Sequence, residues 1–379
     1  MSGFVFSEKP IPIESGEGAI LTAEDGTEYL DFGASYACTP LGHSHPAVTE
    51  AIQEQAAELT YVQASYPVGT RTETYEKLAA LAPGDLDNVW LCNSGTEANE
   101  AAMKFARAAT GDEKIVATKR AFHGRTLGAL AMTWKGKYKA PYEPLAGGIE
   151  FVEYGDAEAL AETVDEDTAA VFLEPVQGEG GIHPAAVEYL QHAREVTEDA
   201  GAALVFDEIQ TGVGRTGTLW ACEQADVVPD VLTTAKGIAN GLPMGATLCA
   251  DWIAEDYGDH GSTFSGGPVV CAAANATLET VVEEDLPAHA ETVGDDLRRR
   301  LETAVDDHDL PVRDVRGSGL MVGIEVKRGA NRILRDLAVD QDVLALPAGR
   351  SVVRLLPPLV VDEPEVERFV DAFVEVLSE

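Results

Sequence analysis

The chain has 379 residues, 45% of them apolar, with 65 acidic against 27 basic side chains and a formal net charge of -38. That length and apolar content suffice for a large core with a second, smaller lobe, and no stretch reaches the length of a membrane span. So acidic a surface argues against nucleic acid as a partner, and its self-repulsion points to a salt-loving (halophilic) source, because the Debye length falls to about 3 Å near 1 M salt.

The opening stretch MSGFVFSEKPIPIESGEG has no basic region followed by an apolar one, so the cytoplasm is the expected location. Residues 1–45 are expected to join the smaller lobe. Residues 46–274 read as a large domain in which short apolar runs alternate with helical patterns: NVWLC (88–92), KIVAT (114–118), AAVFL (169–173), ALVF (203–206) and DVLTTA (230–235). This alternation predicts an α/β fold, with a mostly parallel central sheet and helices on both faces. Residues 275–379 change character: an acidic helical stretch leads into LMVGIEV and SVVRLL and then a helix rich in Val and Glu, a smaller α+β lobe. Cys38, Cys92, Cys222, Cys249 and Cys271 show neither a CxxC pair nor a His at ligand spacing, and read as small buried hydrophobes with no metal expected.

Each strand-like run is followed at once by chemically notable residues, and in open α/β sheets ligands bind at the carboxyl ends of strands. After NVWLC, Ser94, Gly95 and Thr96 stand at the mouth of a helix, suited either to cradle a phosphate or to serve as a plain N-cap. After KIVAT come Phe122, a ring for stacking or core packing, and Arg125, a fork for a carboxylate or a surface ion pair. AAVFL runs into a glycine-rich turn with Glu174, Gln177 and Glu179. ALVF ends in Asp207, with Gln210 three residues on, and DVLTTA ends in Lys236. Thr263 in HGSTFSGGP offers a second phosphate contact or an ordinary loop hydroxyl. A buried lysine loses protons more readily and becomes a nucleophile able to form a Schiff base. Joined by an acid able to hold a pyridinium nitrogen protonated, it makes the constellation of pyridoxal 5'-phosphate (PLP) chemistry.

The segments SGTEANEAAMKFAR, FHGRT, EPVQGEGG, FDEIQTGVGRTG, AKGIANGLPMGA and HGSTFSGG resemble the motifs of class III aminotransferases, from GHSHP near residue 42 to the C-terminal LLPPL. Those are PLP enzymes of fold type I, usually homodimeric, and the likeness is greatest to the acetylornithine aminotransferase group. The resemblance implies Lys236 as the residue joined to the cofactor and Asp207 as partner of its ring nitrogen. It assigns Ser94, Gly95 and Thr96 to the phosphate, Phe122 to the ring face and Gln210 to the phenolic oxygen. Thr263 would reach the phosphate held by the other subunit, although the chain reads TFSGGP where the family reads TFGGNP. Arg354 matches the arginine that grips the α-carboxylate of glutamate or 2-oxoglutarate, and Glu179 the glutamate that shields it.

Between Lys114 and Tyr142 there is no acidic residue, yet the window holds Lys114, Lys119, Arg120, Arg125, Lys135, Lys137 and Lys139. Such a cluster reads either as a landing strip for a strongly acidic partner or as a stripe neutralising the protein's own surface. FHGRTLGALAMTWKGKYKAPYEPL and VLALPAGRSVVRLLPPL resemble the LysJ-type subgroup, the [LysW]-aminoadipate semialdehyde/glutamate semialdehyde transaminases. These aminate a semialdehyde borne by LysW, a small acidic amino-group carrier protein, in lysine or arginine biosynthesis. Free N-acetylornithine is the alternative substrate. An aminomutase or decarboxylase on the same scaffold, or a catalytically silent binding protein, are the remaining readings.

Overall fold

The computed structural model describes residue 5 and residues 9–378. A seven-stranded sheet runs in the order Asn88–Cys92, Gly245–Cys249, Val231–Thr234, Ala203–Asp207, Thr168–Leu173, Lys114–Thr118, Ile149–Val152. Gly245–Cys249 alone runs against its neighbours, so the sheet is mostly parallel as the alternation predicts.

The strands are near-continuous apolar runs because both faces are covered. In Thr168–Leu173 every residue is buried. Successive side chains point to opposite faces: Val171 and Leu173 enter one core cluster, Ala170 and Phe172 the other. Helix Gly95–Thr110 covers the second face with Ala102, Met103, Phe105 and Ala106, and helix Val187–Ala200 covers the first with Tyr189, Leu190 and Ala193. Truncating Phe172 to alanine would cost about 3–5 kcal/mol at such a site.

The C-terminal part forms a four-stranded antiparallel sheet ordered Val312–Ser318, Met321–Val326, Val352–Leu355, Leu346–Ala348. The N-terminal strands Ile13–Glu17, Ile20–Ala23 and Glu28–Asp31 form a second small sheet whose last member pairs in parallel with Val343–Leu344. Phe32 stacks on Phe369 of the final helix at 4.7 Å between ring centroids. Residue 275 lies in the middle of helix Pro268–Glu283, which packs on Pro46–Glu58 and Gly69–Leu81. The helix continues past that point because nothing interrupts it before Asp285, whose φ of 50° turns the chain. Among the described residues, no helix is long and apolar enough to cross a membrane, and no group of three or more His, Cys, Asp or Glu side chains is placed to hold a metal ion.

Candidate active site

The carboxyl ends of the central strands open on a cleft of about 410 Å³. Ser94, Gly95, Thr96, Phe122, Arg125, Glu179, Asp207, Gln210 and Lys236 all line it. Parallel strands explain the convergence: each run delivers its following residue to the same edge.

Asp207 ends its strand fully inside the protein. Its Oδ2 accepts bonds from Asn99 Nδ2 and from His123 Nδ1, each at 2.7 Å, and its Oδ1 accepts the Ile209 N–H at 3.1 Å. Asn99 is fixed in turn by Thr233 Oγ1, which donates to its Oδ1 at 2.8 Å, and it donates to the His123 carbonyl, also at 2.8 Å. Burial works to lower the His123 imidazole, but the bond to Asp207 and the nearby Asp207 and Glu174 charges hold it above its ordinary range. A carboxylate has about four acceptor positions, so Asp207 retains capacity toward the cleft it lines.

Lys236 follows Val231–Thr234 and takes a positive φ of 45°, a conformation that costs a side-chain-bearing residue about 1 kcal/mol or more. It keeps part of its surface open to the cleft. Burial chiefly lowers its amine below the ordinary lysine range, with Arg354 adding to the effect against the upward pull of Asp207, Cys38 and Glu179. The amine is thereby primed for nucleophilic attack on a carbonyl.

Ser94 caps helix Gly95–Thr110, its Oγ accepting the Glu97 N–H at 3.4 Å while Glu97 Oε2 accepts the Asn93 N–H at 2.6 Å. The N-cap read from sequence is present, and the same segment, read alternatively as a phosphate cradle, lines the cleft. The first-turn N–H groups have no intrahelical partners, and a Cβ on Gly95 would come within 2.6 Å of Ile209 Cδ1, so the turn can pack closely only with glycine. Thr96 Oγ1 accepts the N–H groups of Arg125 and Thr126, both at 3.2 Å, tying the helix mouth to the loop after KIVAT.

On that loop Phe122 is half-buried and its N–H is held by Glu174 Oε2 at 3.1 Å. Glu174 Oε1 takes the Gly178 N–H at 3.2 Å, and burial pushes the Glu174 carboxyl upward. Arg125 is exposed and lies over the rings of Tyr138 (4.1 Å) and Phe122 (5.5 Å). Gln177 is buried, its Nε2 donating to Thr118 Oγ1 and to the Lys119 carbonyl, which makes it a brace between strands and not a lining residue.

Arg354, from strand Val352–Leu355, is wholly buried, and its Nη2 lies 2.7 Å from Glu179 Oε1. Its Nη1 donates to Gln210 Oε1 at 3.1 Å, while Nε has no partner among the described residues. The contact with Glu179 is an ion pair by distance, but the Nη2 hydrogens are not well aimed at the oxygen, so the guanidinium retains unused donors. Burial works against the Glu179 carboxylate, yet Arg354, with Lys236 and Lys135 behind it, holds it below the usual glutamate range. Tyr36 covers Arg354, its ring centroid 5.5 Å from Cζ, from the run Ala34–Ala37, in which all four φ values are positive.

Thr263 does not line this cleft. It is exposed, beside Tyr61, whose hydroxyl donates to its carbonyl. Part of the basic window is engaged within the chain, while Arg125 and Lys137 stay exposed. Lys114 pairs with Asp165 at 2.6 Å and Lys119 with Glu153 at 2.5 Å, Lys135 donates to the Glu179 carbonyl at 2.9 Å, and Lys139 donates to the Ala131 carbonyl at 3.3 Å.

Sequence reasoning did not identify His123, Asn99, Thr233 or Tyr36. His123 directly follows Phe122, and Asn99 lies on the face of helix Gly95–Thr110 that meets the sheet, which are the only signals available for either.

The donor set fits PLP. An amine of lowered basicity, a buried carboxylate fixed by three bonds, a helix N-terminus and a half-buried ring share one cleft, and among the described residues Arg354 Nε is a buried donor without a partner. Fold and site together define a PLP-dependent enzyme of fold type I. Residues 6–377 match the family described as aminotransferase class-III. The chain is 43% identical to the acetylornithine aminotransferase of Methanopyrus kandleri, over 98% of this chain and 95% of that protein. It is 42% identical to the [LysW]-aminoadipate semialdehyde transaminase of Deinococcus radiodurans, over 99% and 87%. Its fold superposes on the crystal structure of Toxoplasma gondii ornithine aminotransferase with a TM-score of 0.93 at 30% identity, covering 98% of this chain and 91% of that one. The chain belongs to the class III aminotransferase family and is a PLP-dependent transaminase.

Proposed function

We propose that this transaminase moves an amino group between glutamate or 2-oxoglutarate and the terminal semialdehyde of an aminoadipate or glutamate derivative borne by a small acidic carrier protein, serving lysine or arginine biosynthesis. The observation that carries the two-substrate part is the contact of Glu179 with buried Arg354. Arg354 grips the α-carboxylate of glutamate when Glu179 yields, and Glu179 neutralises it when the partner's reacting carbon bears no carboxylate. An unpaired buried guanidinium would cost several kcal/mol, so the exchange keeps the charge matched in both half-reactions.

Bound in the cleft, PLP supplies an aldehyde for Schiff-base formation and a ring that takes up the electron pair left when a Cα–H bond breaks. Lys236 would hold the aldehyde, and its amine, lowered in basicity by burial, would serve to take up and return a proton at the reacting carbon. Asp207, oriented by His123 and Asn99, would keep the ring nitrogen protonated. Ser94, Gly95 and Thr96 would hold the phosphate, Phe122 would stack on the ring and Gln210 would meet the phenolic oxygen. Thr263 completes the phosphate site from the second subunit of a homodimer. Arg125 steadies the substrate side of the cleft it lines.

Support for a carrier-borne substrate is the likeness to the Deinococcus radiodurans [LysW]-aminoadipate semialdehyde transaminase together with Arg125 and the exposed Lys137 beside the Tyr138 ring. Free N-acetylornithine is the second reading, favoured by the name of the Methanopyrus kandleri relative and by the internal pairing of Lys114 and Lys119. The deciding experiment compares kcat/KM on carrier-bound and acetylated substrates in molar salt, for the wild type and for Lys137→Gln. A preference for the carrier-bound form that Lys137→Gln weakens supports the first reading, and equal efficiency defeats it. The enzyme is further proposed to work in the cytoplasm of a salt-loving source.

A further inference from the structure

The turn that carries Glu179 is held at three points. The carboxylate meets Arg354, the Glu179 carbonyl accepts a bond from Lys135 Nζ at 2.9 Å, and the Gly181 carbonyl accepts from Arg316 Nε and Nη2 at 3.1 and 2.7 Å. Lys135 stands on a segment that is itself anchored: the Trp134 N–H donates to the Ala121 carbonyl at 2.9 Å, and Thr133 Oγ1 donates to the Gly124 carbonyl at 3.2 Å. Unlike Lys114 and Lys119, Lys135 has no carboxylate within ion-pair distance among the described residues. A strongly hydrated ammonium is half-buried against a backbone carbonyl, at the residue whose carboxylate, among the described residues, pairs with Arg354.

We infer that Lys135 is a latch on the substrate gate: by fixing the Glu179 backbone and adding positive charge beside its carboxylate, it sets how readily an incoming substrate carboxylate takes Arg354 from Glu179. This positioning role rests on the reading of Glu179 and Arg354 as an exchangeable pair. The bond to the carbonyl fixes where the turn presents its carboxylate, and the charge favours the ionised form that Arg354 needs. Loosening either frees Arg354 for a dicarboxylate and leaves it poorly neutralised for a substrate lacking that group.

The test uses the holoenzyme with Lys135→Met, Lys135→Gln and Lys135→Arg. Equilibrium binding of glutarate, a dicarboxylate that cannot react, is measured by calorimetry, and KM and kcat are measured separately for the glutamate and N-acetylornithine half-reactions. Lys135→Met should tighten glutarate and lower KM for glutamate roughly three- to tenfold, while raising KM for N-acetylornithine, the scale of part of one charge-assisted hydrogen bond. Lys135→Gln, which can still donate to the carbonyl, should fall between, and Lys135→Arg should restore most of the wild-type balance. In a Glu179→Ala background Lys135→Met should add nothing. Equal effects on both half-reactions, weaker glutarate binding, or an effect that survives in Glu179→Ala would overturn the latch. If Glu179→Ala itself leaves the balance unchanged, the exchangeable pair fails. If Glu179→Ala shifts the balance and Lys135→Met does not, only the latch fails.

Discussion

Asp207 Oδ2 and His123 Nδ1 lie 2.7 Å apart in the interior although 84 positions separate them in the chain. The imidazole donates to the carboxylate, so His123 fixes the orientation of Asp207, which is proposed to face the ring nitrogen of the cofactor. Asp207→Asn keeps the shape and removes the charge. The glutamate half-reaction should slow about 10²–10³-fold, the scale for losing one preorganised electrostatic partner. Rapid-mixing absorbance with far-UV circular dichroism as the folding control checks this, and a rate within twofold of wild type would refute the role.

Two buried groups give stability the same pH dependence. Glu208, whose Oε1 accepts the Cys222 N–H at 2.9 Å and whose Oε2 accepts the Thr211 hydroxyl, is pushed from 4.5 to about 7 by burial. The folded state thus holds a proton that the unfolded chain has released, and this contribution is complete below 4.5 and lost as pH rises through about 7. A shift of that size corresponds to about 3 kcal/mol. His123, raised above its usual 6.5, contributes fully below that value and loses its share as pH rises through its folded value. In molar salt the unfolding midpoint should fall between pH of about 5 and about 8, and Glu208→Gln should flatten the fall.

Thr263 lies outside the cleft of its own subunit, so its proposed contact with phosphate requires a second copy. Thr263→Ala should raise the cofactor dissociation constant about tenfold, roughly the worth of one charge-assisted hydrogen bond, and leave the proposed dimer intact. Equilibrium dialysis paired with light scattering reads both quantities, and unchanged cofactor affinity would remove Thr263 from the site.

The net charge of -38 predicts a salt requirement. Raising KCl from about 0.1 to about 1 M shortens the Debye length from about 10 to about 3 Å and screens self-repulsion. The unfolding temperature should rise over that range, and a flat profile would count against a halophilic design.

Lys236 and Asp207 were readable because each ends an apolar run long enough to mark a buried strand, and parallel strands deliver their ends to one edge. Ser94 to Thr96 were readable for a similar local reason, at the mouth of a helix with evident periodicity. The basic window was visible as composition, but composition cannot tell a landing strip from internal pairing. The contacts of Lys114 with Asp165 and Lys119 with Glu153 depend on how strands and loops are juxtaposed.

The sequence by itself determined which residues stand at strand ends, because burial period and turn chemistry are properties of neighbours along the chain. It therefore determined the sheet and the strand-end candidates that line the cleft, among them Ser94, Asp207 and Lys236. Only the tertiary structure decided which side chains meet: His123 and Asn99 on Asp207, Glu179 against Arg354, Lys135 on the Glu179 carbonyl. Each of these joins segments distant in sequence, and the bond exists only once packing of the sheet and lobes has offset the entropy of bringing them together.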